Sequence, residues 1–86
     1  MPRVVPRTGP RGHRYKLTLH SAGGHGSVVV NPEFSDYAAN AWVELTAVPI
    51  EGWEFWYWRG HLSGSENPTG LVMSTNRTVI AQFSRI

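Results

Sequence analysis

Residues 52–60 read GWEFWYWRG, and the folding of this stretch decides the architecture around it. Five of the six residues from Trp53 to Trp58 are aromatic, in a chain of 86 residues with ten aromatics altogether. Glycine closes the run at both ends and no 3.6-residue apolar period fits it, so it reads as a strand. A strand alternates its side chains between two faces, so only half of such a run can enter one core. The other aromatics need a second core, a ligand, or another protein chain.

Working outward, period-two patterns recur on both sides. Tyr15, Leu17 and Leu19 alternate with Lys16, Thr18 and His20, the mark of a half-buried strand. SAGGHGS follows as a glycine-rich hairpin turn, and VVVN forms a second strand that stops at Pro32. Residues 32–41 form a polar loop holding Phe34 and Tyr37. WVELTAV is a third strand, with Val43, Leu45 and Ala47 on one face; PIEG then turns the chain into the aromatic strand. HLSGSENPTG is a long loop, and LVMS and TVIAQF close the chain as two short strands. The pattern predicts an all-β domain of about six antiparallel-rich strands in consecutive hairpins, a small sandwich or a β-grasp-like fold over residues 14–86.

Residues 1–13 differ in kind. Pro2, Pro6 and Pro10 recur every fourth residue with Gly9 and Gly12 between them, which predicts an extended arm. Arg3, Arg7, Arg11, Arg14 and Lys16 give residues 1–16 a charge of +5 with no acid. Residues 17–86 carry Arg59, Arg77 and Arg85 against Glu33, Asp36, Glu44, Glu51, Glu54 and Glu66, which is 3 − 6 = −3. The arm is basic and the body acidic. With no cysteine, disulfides and thiolate metal sites are excluded and stability rests on packing. No apolar run approaches the roughly 20 residues of a membrane helix. The first fourteen residues hold no apolar stretch of signal-peptide length.

In order along the chain, these residues carry a family signature. YKLTLHSAGGHGSVVVNP, then WVELTAVPIEGWEFWYWRG, then SGSENPTGLVMSTNRTVIAQF resembles the divergent InlB B-repeat family of bacterial surface proteins over about residues 14–84. The matching positions include Tyr15, Leu17, Leu19, Gly24, Gly26, Val43, Leu45, Pro49, Gly52, Trp53, Phe55, Trp58, Gly60, Asn67, Val79 and Phe83. The resemblance implies a small β module, a spacer or adhesive unit, extracellular or on the bacterial cell surface, without catalysis. It differs in being a single copy with a basic arm. It also implies that Trp53, Phe55 and Trp58 are core aromatics. The three-residue step from Phe55 to Trp58 then predicts a bulge that re-aims Trp58 inward. Trp42, Trp56 and Tyr57 remain in excess, with three destinations: a neighbouring chain, packing at the rim under the long loop, or a sugar-stacking platform.

Other constellations carry less. His13, His20, His25 and His61 form no paired metal-ligand spacing, and no metal or cofactor is expected. GGHGS lacks the following lysine and helix of a phosphate loop. Glu51 and Glu54 flank Trp53 like acids beside a sugar ring, yet acids three apart on a turn and strand are ordinarily a solvated edge. NRT at residues 76–78 fits a glycosylation triplet, a pattern that also arises by chance. Nucleic-acid binding through the arm is opposed by the acidic body and by the lack of cations beside the tryptophans, Arg59 apart.

The sequence therefore predicts a non-catalytic building block of a bacterial extracellular or cell-surface assembly, a filament of identical subunits joined head to tail. Its arm would add Val4 and Val5 to a neighbour's sheet. Arg3, Arg7 and Arg11 would face Glu44, Glu51 and Glu54, and Trp42, Trp56 and Tyr57 would supply interface aromatics. The predicted core is Tyr15, Leu17, Leu19, Val43, Leu45, Trp53, Phe55, Trp58, Val79 and Phe83. The alternatives are a glycan-binding adhesin module using the same tryptophans, and nucleic-acid binding.

Overall fold

The structure is a computed structural model and describes residues 14–86; the arm residues Arg3, Val4, Val5, Arg7 and Arg11 lie outside them. Eight strands follow in order: β1 (Arg14–Tyr15), β2 (Leu17–Ser21), β3 (Gly26–Asn31), β4 (Tyr37–Ala38), β5 (Ala41–Pro49), β6 (Trp53–Gly60), β7 (Thr69–Met73) and β8 (Arg77–Arg85). A 3-10 turn at Ala22–Gly24 is the one helical element among the described residues. Two three-stranded sheets, β2-β8-β6 and β3-β5-β7, face each other across the core, and β1 pairs with β4 in a small ribbon. The class is all-β, as the alternation predicts.

The connectivity is not a run of consecutive hairpins. Of the six longer strands only β3 and β5 are successive partners, and the chain otherwise crosses between sheets. SAGGHGS is accordingly a corner from β2 to β3, with Gly23 and Gly24 at φ +75° and +72°. β2 pairs in parallel with β8, Leu17 opposite Arg77 through Ser21 opposite Ala81; the other sheet contacts are antiparallel. The physical reason is that period-two patterning fixes which face of a strand is buried, and says nothing about its neighbour. The sandwich reading holds, whereas a β-grasp would need a helix across its sheet. β8 is also nine residues long and central, where the sequence suggested a short closing strand.

The core lies between the sheets. Val43, Leu45 and Ala47 on β5 and Leu71 and Met73 on β7 meet Trp58 on β6 and Val79, Ala81 and Phe83 on β8, all buried. Tyr15, Leu17, Leu19, Trp53 and Phe55 are half-buried and pack against this cluster. Each fully buried aliphatic side chain contributes roughly 1.5–3 kcal/mol by leaving water. Tyr37 is buried at the β1–β4 end, although the sequence placed it in a polar loop. Its hydroxyl donates to the Pro32 carbonyl at 2.7 Å and accepts the Phe34 N–H at 3.1 Å, which closes the loop on itself.

Candidate functional site

The bulge is where the aromatic strand divides its side chains. Phe55 lies opposite Phe83 and Tyr57 opposite Gln82, so Trp56 is the extra residue in β6. The added residue returns Trp58 to the inner face, where it is 2% exposed. Its indole N–H donates to the Glu66 carbonyl at 2.6 Å, and its backbone N–H donates to the Gly64 carbonyl at 2.8 Å. Trp58 thus holds the long loop against the sandwich as well as filling the core. Trp56 is turned out, 58% exposed, with Tyr57 edge-on beside it at 4.8 Å between ring centres. Trp53 faces inward at the rim. His25 stacks on it at 3.5 Å and the Arg85 guanidinium sits 5.5 Å from its ring centre.

Trp42 occupies the opposite side of the molecule. It projects from the outer face of β5, opposite Val72 on β7, and is 59% exposed. Gly70 is its seat: a Cβ there would collide with the indole Nε1 and lie 2.7 Å from Cε2 and Cζ2. The Nε1–Cε2–Cζ2 edge of the indole therefore takes the space that a side chain at residue 70 would need. Val29, Val48 and Val72 are exposed on the same outer face, and Glu44 and Thr46 lie between them on β5. Sequence reasoning missed the three valines as surface. The odd member of VVV and the even positions of WVELTAV were the signal for two of them. Nothing in the sequence marked Gly70 as the seat of an indole.

The predicted interface residues accordingly fall on two surfaces. Trp42 and Glu44 belong to the β3-β5-β7 face, whereas Glu54, Trp56 and Tyr57 belong to the outer side of β6. Glu51 lies in the turn between β5 and β6. Charge divides along the chain rather than between these two surfaces. Residues 17–58 hold Glu33, Asp36, Glu44, Glu51 and Glu54 and no lysine or arginine, while Arg59, Arg77 and Arg85 lie on β6 and β8. Arg14 is paired with Asp36 at 2.8 Å. Among the described residues there is no group of three potential metal ligands and no pocket. His61 is built into the fold: the Thr78 N–H donates to its Nδ1, and its own N–H donates to the Thr78 carbonyl, both at 2.8 Å.

No helix among the described residues is long and apolar enough to cross a membrane. No curated protein and no solved structure matches the chain. The family profile described as the divergent InlB B-repeat domain matches residues 15–86, which takes in every strand of both sheets. A bulged aromatic strand, a loop tied to its last tryptophan and two facing sheets are thus the form taken here by a recurrent surface-protein repeat: the chain belongs to the divergent InlB B-repeat family, a module of bacterial surface proteins.

Proposed function

We propose that the chain is a non-catalytic structural subunit of a bacterial extracellular or cell-surface assembly, in which the basic arm of one copy joins the next copy head to tail. The observation that carries this reading is the charge division: five acids without a single lysine or arginine over residues 17–58, against three arginines without an acid in the arm, residues 1–13. Exposed ion pairs contribute only about 0–1 kcal/mol each, so they steer the encounter, and main-chain pairing with apolar burial supplies the affinity. The contact joins two different patches, so it propagates as a fibre unless its rotation closes a ring. Trp42 and Trp56, exposed on two sides, and half-buried Tyr57 beside Trp56 are available to line such contacts.

Light scattering with negative-stain imaging tests the proposal on the full chain and on a chain beginning at His13. Filaments or large oligomers from the first and monomers from the second are expected. Monomers from both overturn the proposal. A second reading is favoured by one observation, the exposed indole of Trp42 seated against Gly70 on the outer face of its sheet: an exposed indole is a stacking platform for a sugar ring. It predicts saturable quenching of tryptophan fluorescence by an oligosaccharide, lost in Trp42→Ala.

A further inference from the structure

The sandwich has four edge strands, β2 and β6 in one sheet and β3 and β7 in the other. Three of them discourage a basic incoming strand. β6 carries the bulge at Trp56 and the cation Arg59, which twist its edge and repel a basic strand. β7 has one edge carbonyl taken by its own chain, with a cation beside it: the Val72 carbonyl accepts the Arg77 Nε–H at 3.2 Å and the Ser74 N–H at 3.1 Å. β2 follows directly on Lys16 and lies in the sheet that holds Arg59, Arg77 and Arg85. β3 is different. Its six residues, GSVVVN, contain no charge, no proline and no bulge, and Glu33 and Glu51 follow in the segments beyond its two ends.

The register shows which groups β3 offers. Ala47 lies opposite Val28, yet the backbone N–H and C=O of Ala47 are both taken by the Asn67 side chain, at 2.9 and 3.0 Å. Val28 and Ala47 are therefore a non-hydrogen-bonded pair. By alternation Gly26 opposite Pro49 and Val30 opposite Leu45 are too. Gly26, Val28 and Val30 consequently direct their N–H and C=O groups away from β5, toward the open edge.

The arm carries the complementary pattern. Pro2, Pro6 and Pro10 all fall on even positions, so a strand that turns its odd residues toward β3 keeps every missing N–H on its far side. We infer that β3 of one copy is the acceptor for the arm of a second copy, laid antiparallel with Arg3 opposite Val30, Val5 opposite Val28 and Arg7 opposite Gly26. This inference rests on the head-to-tail reading above and specifies its acceptor. Val4 then meets exposed Val29 on the outer face and Val5 meets Val28 on the inner side. The chain's own arm is a poorer occupant. Tyr15 pairs with Tyr37, whose hydroxyl is bonded to Pro32 one residue past β3. Going back from Tyr15 to Arg14, the antiparallel partner moves from Tyr37 to Ala38, so the chain enters β1 from the side away from Pro32 and the end of β3.

The chain has no cysteine, so single substitutions report contacts cleanly. Chains carrying Val4→Cys are mixed under mild oxidation with chains carrying Val29→Cys on β3, Val72→Cys on β7 or Thr18→Cys on β2, all three at exposed positions. Cross-strand Cβ atoms in such a pair lie about 4.5–5.5 Å apart, close to disulfide geometry. The Val29 pair should link at least about tenfold faster than the other two, because docking raises the local thiol concentration. In parallel, Val5→Pro should abolish assembly seen by light scattering while Val4→Pro preserves it, because only the residue 5 N–H faces β3. Assembly of the full chain with equal linking at all three positions overturns the acceptor and leaves the head-to-tail reading standing. A full chain that stays monomeric overturns both. Linking within a chain that carries both Val4→Cys and Val29→Cys, at a rate independent of concentration, overturns the second copy as occupant.

Discussion

Gly60→Ala tests how tightly the end of β6 is set against the central strand. Gly60 lies opposite Val79 with φ +86°, and a Cβ there would fall on the Thr78 carbonyl oxygen, well inside van der Waals contact, and 3.3 Å from its carbon. That carbonyl cannot retreat. Thr78 is in β8, between β2 and β6, and its carbonyl accepts the His61 N–H. A side chain at positive φ costs about 1–2 kcal/mol. Overpacking against fixed backbone adds about 1–3 kcal/mol. The sum, roughly 2–5 kcal/mol, compares with a total of about 4–11 kcal/mol for a domain of this size. Gly64→Ala supplies the control, because Gly64 has nearly the same φ, +85°, and nothing within 4 Å of the added Cβ. Urea unfolding followed by tryptophan fluorescence reads both. With a slope of about 1–1.5 kcal/mol/M, the Gly64 variant should lose about 1 M in midpoint and the Gly60 variant about 2–3 M. Equal losses would refute the steric part of the argument.

Three further outcomes are expected. Asn67→Ala leaves the N–H and C=O of buried Ala47 without their partner and should destabilise the domain by about 1–3 kcal/mol in the same urea assay. Tyr37→Phe removes a hydroxyl bonded to Pro32 and Phe34 and should lose about 1–2 kcal/mol, with faster amide exchange confined to the 32–37 loop. Asp36→Asn breaks the exposed pair with Arg14 and should change stability by less than about 1 kcal/mol, a difference that disappears near 1 M salt. A larger, salt-insensitive loss would show that the β1–β4 ribbon depends on more than that pair.

The sequence was most informative where one residue's chemistry decides its place. The alternation in WVELTAV marks the buried face of β5, and the broken step between Phe55 and Trp58 marks the bulge. Both are local, set by the spacing of side chains along one strand. Strand order was illegible for the opposite reason. Leu17 and Arg77 are neighbours across a parallel pair, and no local pattern in either segment names the other. The exposed aromatics were visible as a surplus, but their separation onto two sides follows from β5 and β6 belonging to different sheets. Equally hidden were side chains that act as backbone. Asn67 takes a strand's place beside Ala47, and His61 does so beside Thr78; a sequence shows both only as loop residues.

The parallel pairing of β2 with β8 has a mechanical meaning for a module carried on a cell surface. The first long strand and the last lie side by side and point the same way over five residue pairs. Tension applied through the two ends pulls them in opposite directions along their shared length. The ladder is then loaded in shear, with all five pairs resisting together, where an antiparallel hairpin at the ends would open one pair at a time like a zip.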